Sequence, residues 1–402
     1  MRKSDILHSI YTILSRLGMF PNIYPCLQNT GSLCLLEGVV NFKLQSTKVL
    51  VNHLSGIGGL LIRCLYIRCM AKVVRIGVFG VGHLGKIHLR LLKEIAGFDI
   101  VGFYDPDDKN ATLVEKEFNL KRFETPKKLI ESCDALDIVS PTTSHFEIAH
   151  DCIKKAKHIF IEKPLASTIK EAKQLVELVD EARVKAMVGH VERFNPAILS
   201  LNKKNIKPMF IEVHRLAEFN PRGTDVSVVL DLMIHDLDII LSLVKGNVKK
   251  VSASGVAILS KTPDIANARI EFDNGCVANV TASRVSVKNM RKMRIFQPGA
   301  YISMDFLKKK SDLFRIEDTA PPANTETNHF EIDLPDNSKK YITFETAEKK
   351  DINAIQMELE LFHKSITQNK PVPVSVLDGY NAMHLAQQIL DKINTQLVVK
   401  KG

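Results

Sequence analysis

Tryptophan is absent from the 402-residue chain, and aromatic residues make up only 6% of it. No stretch reaches the eighteen or so uninterrupted apolar residues of a membrane-spanning helix, so no membrane partner is expected. Cysteine is scarce and odd in number, seven in all, with no CxxC pair and no Cys/His cluster at zinc-ligand spacing. A disulfide scaffold and a metal site are therefore not expected, and a reducing, cytoplasmic location fits best. Runs of Lys/Arg interleaved with aromatics are also missing, which argues against a nucleic-acid partner. Extreme composition is lacking too: 45% hydrophobic and 25% charged residues are globular proportions, which excludes wholesale disorder, collagen and coiled coil. The length suits two or three domains.

The formal charge of +10 is unevenly spread. Residues 1–69 hold seven Lys/Arg against two Asp/Glu, half of the excess, and four of the cysteines (Cys26, Cys34, Cys64, Cys69). Ser4 can cap a short amphipathic helix with Ile6, Leu7, Ile10, Leu14 and Leu17 on one face. Periodicity then stops. The segment is read as an upstream extension with Met70 as the working start; a targeting role and an accessory element are the alternatives.

From Lys72 the pattern sharpens. Val73 to Phe79 is a short apolar run, the mark of a buried strand. It leads into Gly80-Val81-Gly82-His83-Leu84-Gly85, then a helix with Leu84, Ile87, Leu91 and Ile95 on one face. A second strand, Phe98 to Tyr104, ends at Asp105. Strand, glycine turn, helix, strand and acid form the dinucleotide fingerprint in context. The glycines permit a tight turn, close approach of the pyrophosphate, and packing of helix on strand. The helix N-terminus offers free N–H groups to phosphate. Asp105 is placed to accept the adenosine ribose hydroxyls. It would repel a 2′-phosphate, and no arginine follows closely in sequence, so NAD is favoured over NADP.

Alternation continues with strands at Ala135–Ser140, His158–Ile161 and Lys185–Val188, and helices at His145–Ala156 and Ile169–Arg183. Strand ends of such a sheet meet at one crevice. Ser140, Pro141, Thr142, His145, Glu162 and Lys163 are expected there, beside Gly80, Gly82, His83, Leu84, Gly85 and Asp105. From Pro208 the pattern turns to antiparallel strands: Met209–Arg215, Val248–Ile258, Ala266–Phe272, Cys276–Ser283, Arg291–Phe296, Tyr301–Phe306 and a weaker Lys340–Glu345. Glu317–Asn337 reads as a loop. Helices return at Asn353–Gln368 and Gly379–Ile393.

At Glu162-Lys163-Pro164 the sequence resembles the Gfo/Idh/MocA oxidoreductases over Lys72 to about Ile393. Asp231-Leu232-Met233-Ile234-His235 matches the Asp-x-x-x-His pair that family carries. The resemblance implies a Rossmann nucleotide-binding domain and an α+β domain on a large open, mainly antiparallel sheet. The expected bounds are 70–190 and 191–375, with residues 376–402 packing back on the nucleotide domain. It implies a homo-dimer or tetramer through the sheet's free face. Residues 188–196 and 230–238 further look like the branch that oxidises the 3-hydroxyl of UDP-N-acetylglucosamine.

Alcohol oxidation by NAD needs a base for the hydroxyl proton and a donor for the developing alkoxide. His235 suits the base. Asp231, four residues earlier on an expected helix, lies on the same face and can orient the imidazole or meet substrate. Lys163 can stabilise the oxygen or act as the base itself, and the sequence leaves that choice open. Arg193 and Asn195 are the expected contacts to substrate phosphate, with capping and an ion pair to Glu192 as the structural alternative. His190 lines the pocket or is a satisfied core histidine. The expected activity is NAD-dependent oxidation of a nucleotide-sugar secondary hydroxyl. The rivals are a dehydrogenase of a free sugar or cyclitol, a non-catalytic NAD-binding sensor, and an enzyme that recycles a trapped cofactor.

Overall fold

The computed structural model describes residues 73–201, 205–220, 226–320, 329–347 and 352–399. The helix expected after Ser4 lies outside these residues. Val73–Gly402 form one compact unit, with two lobes built on two sheets.

The nucleotide lobe alternates strands and helices: β1 (Val74–Phe79), α1 (His83–Glu94), β2 (Phe98–Tyr104), α2 (Asp108–Phe118), α3 (Pro126–Ser132), β3 (Ala135–Ile138), α4 (His145–Lys154), β4 (His158–Glu162), α5 (Ile169–Ala182) and β5 (Ala186–Gly189). The strands are parallel in the order β2-β1-β3-β4-β5. One parallel bridge, Phe103 to Arg122, adds a rudimentary position outside β2. The strands are apolar runs because helices cover both faces of a parallel sheet. Local signals start the helices: Asp107 caps α2, Thr125 caps α3 ahead of Pro126, and Thr168 with Glu171 forms a capping box on α5.

The second lobe begins after α6 (Pro196–Leu199) with β6 (Phe210–Leu216). A π-helical turn (Val229–Met233) then leads into α7 (Ile234–Leu243). The strands β7 (Val248–Val256), β8 (Ile265–Phe272), β9 (Val277–Ser283), β10 (Met290–Gln297), β11 (Ala300–Asp305), β12 (Lys310–Glu317), β13 (His329–Asp333) and β14 (Lys339–Thr346) complete the sheet. Its order is β13-β14-β12-β11-β10-β6-β9-β8-β7. Every neighbouring pair is antiparallel except β6 with β9. The Rossmann domain and the large, mainly antiparallel sheet are thus both present.

Two expectations change. Glu317–Asn337 is not loop throughout: His329–Asp333 pairs with β14 along its backbone. All five residues of β13 are exposed: Phe330 and Ile332 alternate with His329, Glu331 and Asp333, but over only five positions inside an otherwise polar stretch at the edge of the sheet. The boundary at residue 376 also fails. Helix α8 (Ala354–Thr367) sends Leu359 and Phe362 into the core of the nucleotide lobe. Helix α9 (Val376–Val399) serves both lobes: Ala382 and Met383 join the nucleotide core, while Leu385, Ala386, Ile389 and Ile393 join the core under the sheet.

Candidate active site

The turn from β1 to α1 is built on close approach. Gly80 has φ +85°, and a Cβ there would lie 2.6 Å from the Ser140 Cα of the neighbouring turn. A Cβ on Gly85 would lie 2.1 Å from the Gly80 carbonyl oxygen. Over Gly82 there is open space, and no side chain caps α1 there. The N–H groups of that terminus open onto this space, the polarity an anion needs. His83 is exposed and Leu84 half-buried beside them.

Asp105 is almost fully buried at the end of β2. One carboxylate oxygen accepts from the Val81 N–H and the other from the Asp107 N–H, both at 2.8 Å. Asp105 therefore ties the glycine turn to the next strand end, and each oxygen keeps a lone pair for a ligand hydroxyl. The structure brings in an arginine that the local sequence did not show. The Arg122 side chain donates to the Asp105 carbonyl and pairs with Asp108 at 2.8 Å, so its charge is already matched.

The β3 and β4 turns lie together. Thr142, Thr143, Lys163 and Pro164 line one cavity of about 370 Å³ with Asp231, Leu230, Met383 and Gln387. Ser140 accepts from the Ser144 hydroxyl behind it, and Pro141 is exposed. His145, expected against the cofactor, is instead buried beneath the turns, its ring nitrogens 2.9 Å and 2.8 Å from the Pro164 and Ser140 carbonyls. Burial lowers its pKa, and the two carbonyls oppose the fall; both neighbours are acceptors, so a neutral ring donates to one turn and an imidazolium to both.

Lys163 and Asp231 meet across the lobes. The ammonium donates to the Asp231 carbonyl at 2.9 Å and lies 3.7 Å from its carboxylate. Burial pulls the lysine pKa down, and the charges of Asp231 and Glu162 partly oppose the fall. Asp231 does not orient His235. Its residue sits in the π-helical turn, which breaks the i,i+4 alignment of a regular helix, and its carboxylate turns to Lys163. His235 keeps a buried Nδ1 with no hydrogen-bond partner. Burial first, then the charges of Lys163, Arg215, His190 and Arg291, hold its pKa well below the usual histidine value. It is a neutral imidazole at neutral pH. His190 is buried with neither ring nitrogen partnered, so it is not the satisfied core histidine of the bland reading.

Arg193 and Asn195 are corrected. Arg193 makes a forked pair to the buried Asp238 at 2.6 Å and 2.7 Å and reaches Asp378 at 3.2 Å. Asn195 caps α6 through the Ala197 N–H and donates to Glu192 and the Phe306 carbonyl. Both are interior braces. Glu192, the expected ion partner of Arg193, pairs with Arg215 and Arg291 instead.

Sequence reasoning missed a buried polar group below Lys163. His88 on α1 lies 3.0 Å from Asp137 on β3 and 3.4 Å from Glu162 on β4. Glu358 of α8 is buried, its charge felt with those of Glu162, His88 and Asp137. The available signal was small: a histidine and an aspartate inside otherwise apolar stretches.

Comparison with known proteins agrees with this architecture. Residues 74–190 match the oxidoreductase family model with an NAD-binding Rossmann fold, and residues 204–299 match the GFO/IDH/MocA C-terminal domain. The chain is 33% identical over 317 residues to the UDP-N-acetylglucosamine 3-dehydrogenase of Acidithiobacillus ferrooxidans, covering 79% of this chain and 96% of that protein. The solved structure of that enzyme superposes with a TM-score of 0.72 at 32% identity, over 80% of this chain and 98% of that one. A scyllo-inositol 2-dehydrogenase (NAD(+)) of Bacillus subtilis is 30% identical over 236 residues, 54% of this chain and 69% of that protein. A levoglucosan dehydrogenase solved with NADH and L-sorbose shares the fold at 19% identity and a TM-score of 0.70, over 81% of this chain and 97% of that one. Nucleotide lobe, open sheet and matched models together show that the chain belongs to the GFO/IDH/MocA family of NAD-binding oxidoreductases.

Proposed function

We propose that the protein oxidises a secondary hydroxyl of a sugar to a ketone, with a nucleotide sugar of the UDP-N-acetylglucosamine kind, at C3, as the substrate. One observation carries the chemistry: the Lys163 ammonium, held on Asp231, opens into a cavity at the strand-end crevice. The similarity to a UDP-N-acetylglucosamine 3-dehydrogenase over nearly its whole length supports the substrate.

NAD, when bound, supplies the hydride acceptor. Gly80, Gly82, His83, Leu84 and Gly85 would cradle its phosphates, and Asp105 its adenosine ribose. Ser140, Pro141, Thr142 and Glu162 would line its nicotinamide half. Lys163 steadies the oxygen as its charge develops, because a buried ammonium acts at close range in a low dielectric. His235, neutral and partly sealed, accepts the hydroxyl proton. Asp231 keeps the ammonium aimed.

The test is release of reduced nicotinamide on mixing protein and NAD with UDP-N-acetylglucosamine, beside free sugars and myo-inositol. A signal confined to the nucleotide sugar supports the substrate. Lys163→Met and His235→Gln should each lower kcat by about 10²–10⁴-fold. Full turnover in both variants would end the proposed roles. The inositol dehydrogenase among the relatives favours a second reading, oxidation of a free cyclitol, which a signal with myo-inositol would select.

The outer face of the large sheet supports self-association. Phe210, Phe296, Tyr301, Phe314 and Phe344 form a ladder across five strands, with successive ring centroids 4.9–6.0 Å apart. Ile316 and Phe330 extend it and are largely exposed. An apolar band of this kind on an otherwise finished sheet suits a second copy of the chain.

A further inference from the structure

The core of the nucleotide lobe holds more charge chemistry than the fold needs. His88 and Asp137 are fully buried, and their ring nitrogen and carboxylate lie 3.0 Å apart. The other ring nitrogen of His88 lies 3.4 Å from Glu162 Oε1. Phe160 meets the His88 ring edge-on at 5.8 Å and fixes its plane. The second Glu162 oxygen accepts from the Lys163 N–H at 3.2 Å. A continuous chain of contacts therefore runs from β3 through α1 to the backbone of Lys163. Taking ions out of water costs several kcal/mol each, and apolar side chains of similar volume would fill this space without that penalty. The cluster is poor value for stability, and it ends on the one lysine that opens into the cavity.

We propose that Asp137, His88 and Glu162 form a positioning relay for Lys163: Asp137 orients the His88 ring, His88 anchors the Glu162 carboxylate, and Glu162 fixes the Lys163 backbone while setting its negative charge beside the ammonium. His88 sits between two carboxylates. Burial opposes its charge, but Asp137 and Glu162 together raise its pKa well above the usual value. The ring is an imidazolium at neutral pH: it hydrogen-bonds Asp137 through one nitrogen and holds Glu162 by charge through the other, which lies at ion-pair distance without a hydrogen bond. Glu358, pushed far above the carboxylate range by burial and by Glu162, stays protonated and adds no further anion. Lys163 faces Asp231 from the π-helical turn, Glu162 from β4, Arg215 from β6, His235 from α7 and His190 after β5. Of these only Asp231 and Glu162 favour its charged form. The relay is thus one of two supports that keep Lys163 an ammonium ready to meet an alkoxide.

The inference rests on Lys163 lying at the reacting centre, so its test uses neither sugar nor cofactor. The probe is formaldehyde with a borohydride reductant, which methylates a neutral amine. Lys163 labelling is followed against pH by peptide mass spectrometry. His88→Gln keeps a hydrogen-bonding group and removes the cation, leaving two buried carboxylates that share a proton. The Lys163 midpoint should fall by about one unit, a tenfold weaker hold on its proton. Glu162→Gln should shift it the same way, and the double variant no further, because both act through one carboxylate. If His88→Gln does not fold, Asp137→Asn, alike in shape, should lower the midpoint in the same direction. A purely structural cluster would lower thermal stability and leave the midpoint unmoved. An unmoved midpoint in the folded variant, or shifts that add in the double variant, would overturn the relay.

Discussion

Glu358 carries a carboxyl group into the nucleotide lobe with neither oxygen hydrogen-bonded. Burial raises its pKa, and the neighbouring Glu162 and Asp137 charges add to the rise against that of His88. An acid whose folded pKa lies above its unfolded value holds its stabilising share below the unfolded pKa. That share is lost as pH rises through the folded pKa. Stability should therefore fall from about pH 4.5 upward. Glu358→Gln removes this loss, so the variant should gain on the wild type as pH rises and be the more stable of the two at neutral pH. Thermal unfolding of both proteins across pH 5–9 reads it out: the curves should converge in acid and separate in alkali. Arg193 behaves in the opposite sense. Arg193→Ala strands the buried Asp238 carboxylate, which should cost about 3–5 kcal/mol. The expected result is a large drop in melting temperature. A selective rise in KM for nucleotide sugars with unchanged stability would restore Arg193 as a substrate contact.

Helix α9 decides how the lobes stay joined. Its first turns bury Ala382 and Met383 in the nucleotide core, and later turns bury Leu385, Ile389 and Ile393 under the large sheet. Deleting residues 376–402 strips apolar partners from both cores at about 25 cal/mol per Å² of surface re-exposed. The shortened chain should lose cooperative unfolding by circular dichroism and become quickly digested by trypsin. Survival of a protease-resistant nucleotide lobe would show that the helix matters only to the sheet. The π-helical turn is the other element with consequences. It carries Asp231 toward Lys163 and leaves His235 on α7 with its Nδ1 unpartnered. The i,i+4 spacing places the two side chains on one face only for a constant 3.6 residues per turn.

For the whole molecule, the proposed self-association rests on the aromatic ladder on the free face of the sheet. Phe314 lies at its middle, between Tyr301 and Phe344 at 5.3 Å and 4.9 Å. Phe314→Lys should shift sedimentation toward the monomer and leave the core intact, since the face is not part of either buried cluster. If the wild-type chain sediments as a monomer at micromolar concentration, the self-association reading fails.

Much of this protein was determined by its sequence alone. The parallel-sheet strands are apolar runs, the glycine turn has a fixed spacing, and Thr168, Glu171 and Asp107 stand where helices begin. These are local signals, decided by neighbours a few residues away. Lys163, Asp231 and His235 were legible as residues because they sit in short motifs. Their pairing was not. Lys163 meets Asp231 across 68 positions of chain, and Arg193 finds Asp238 across 45. The exposed strand β13 alternates Phe330 and Ile332 with polar residues over only five positions of a polar stretch, and it becomes a strand by pairing its backbone with β14 at the sheet edge. The cluster of His88, Asp137, Glu162 and Glu358 exists only once α1, β3, β4 and α8 have packed. Burial and charge pairing are properties of that packing, and only the tertiary structure could decide which polar side chains ended inside it and beside whom.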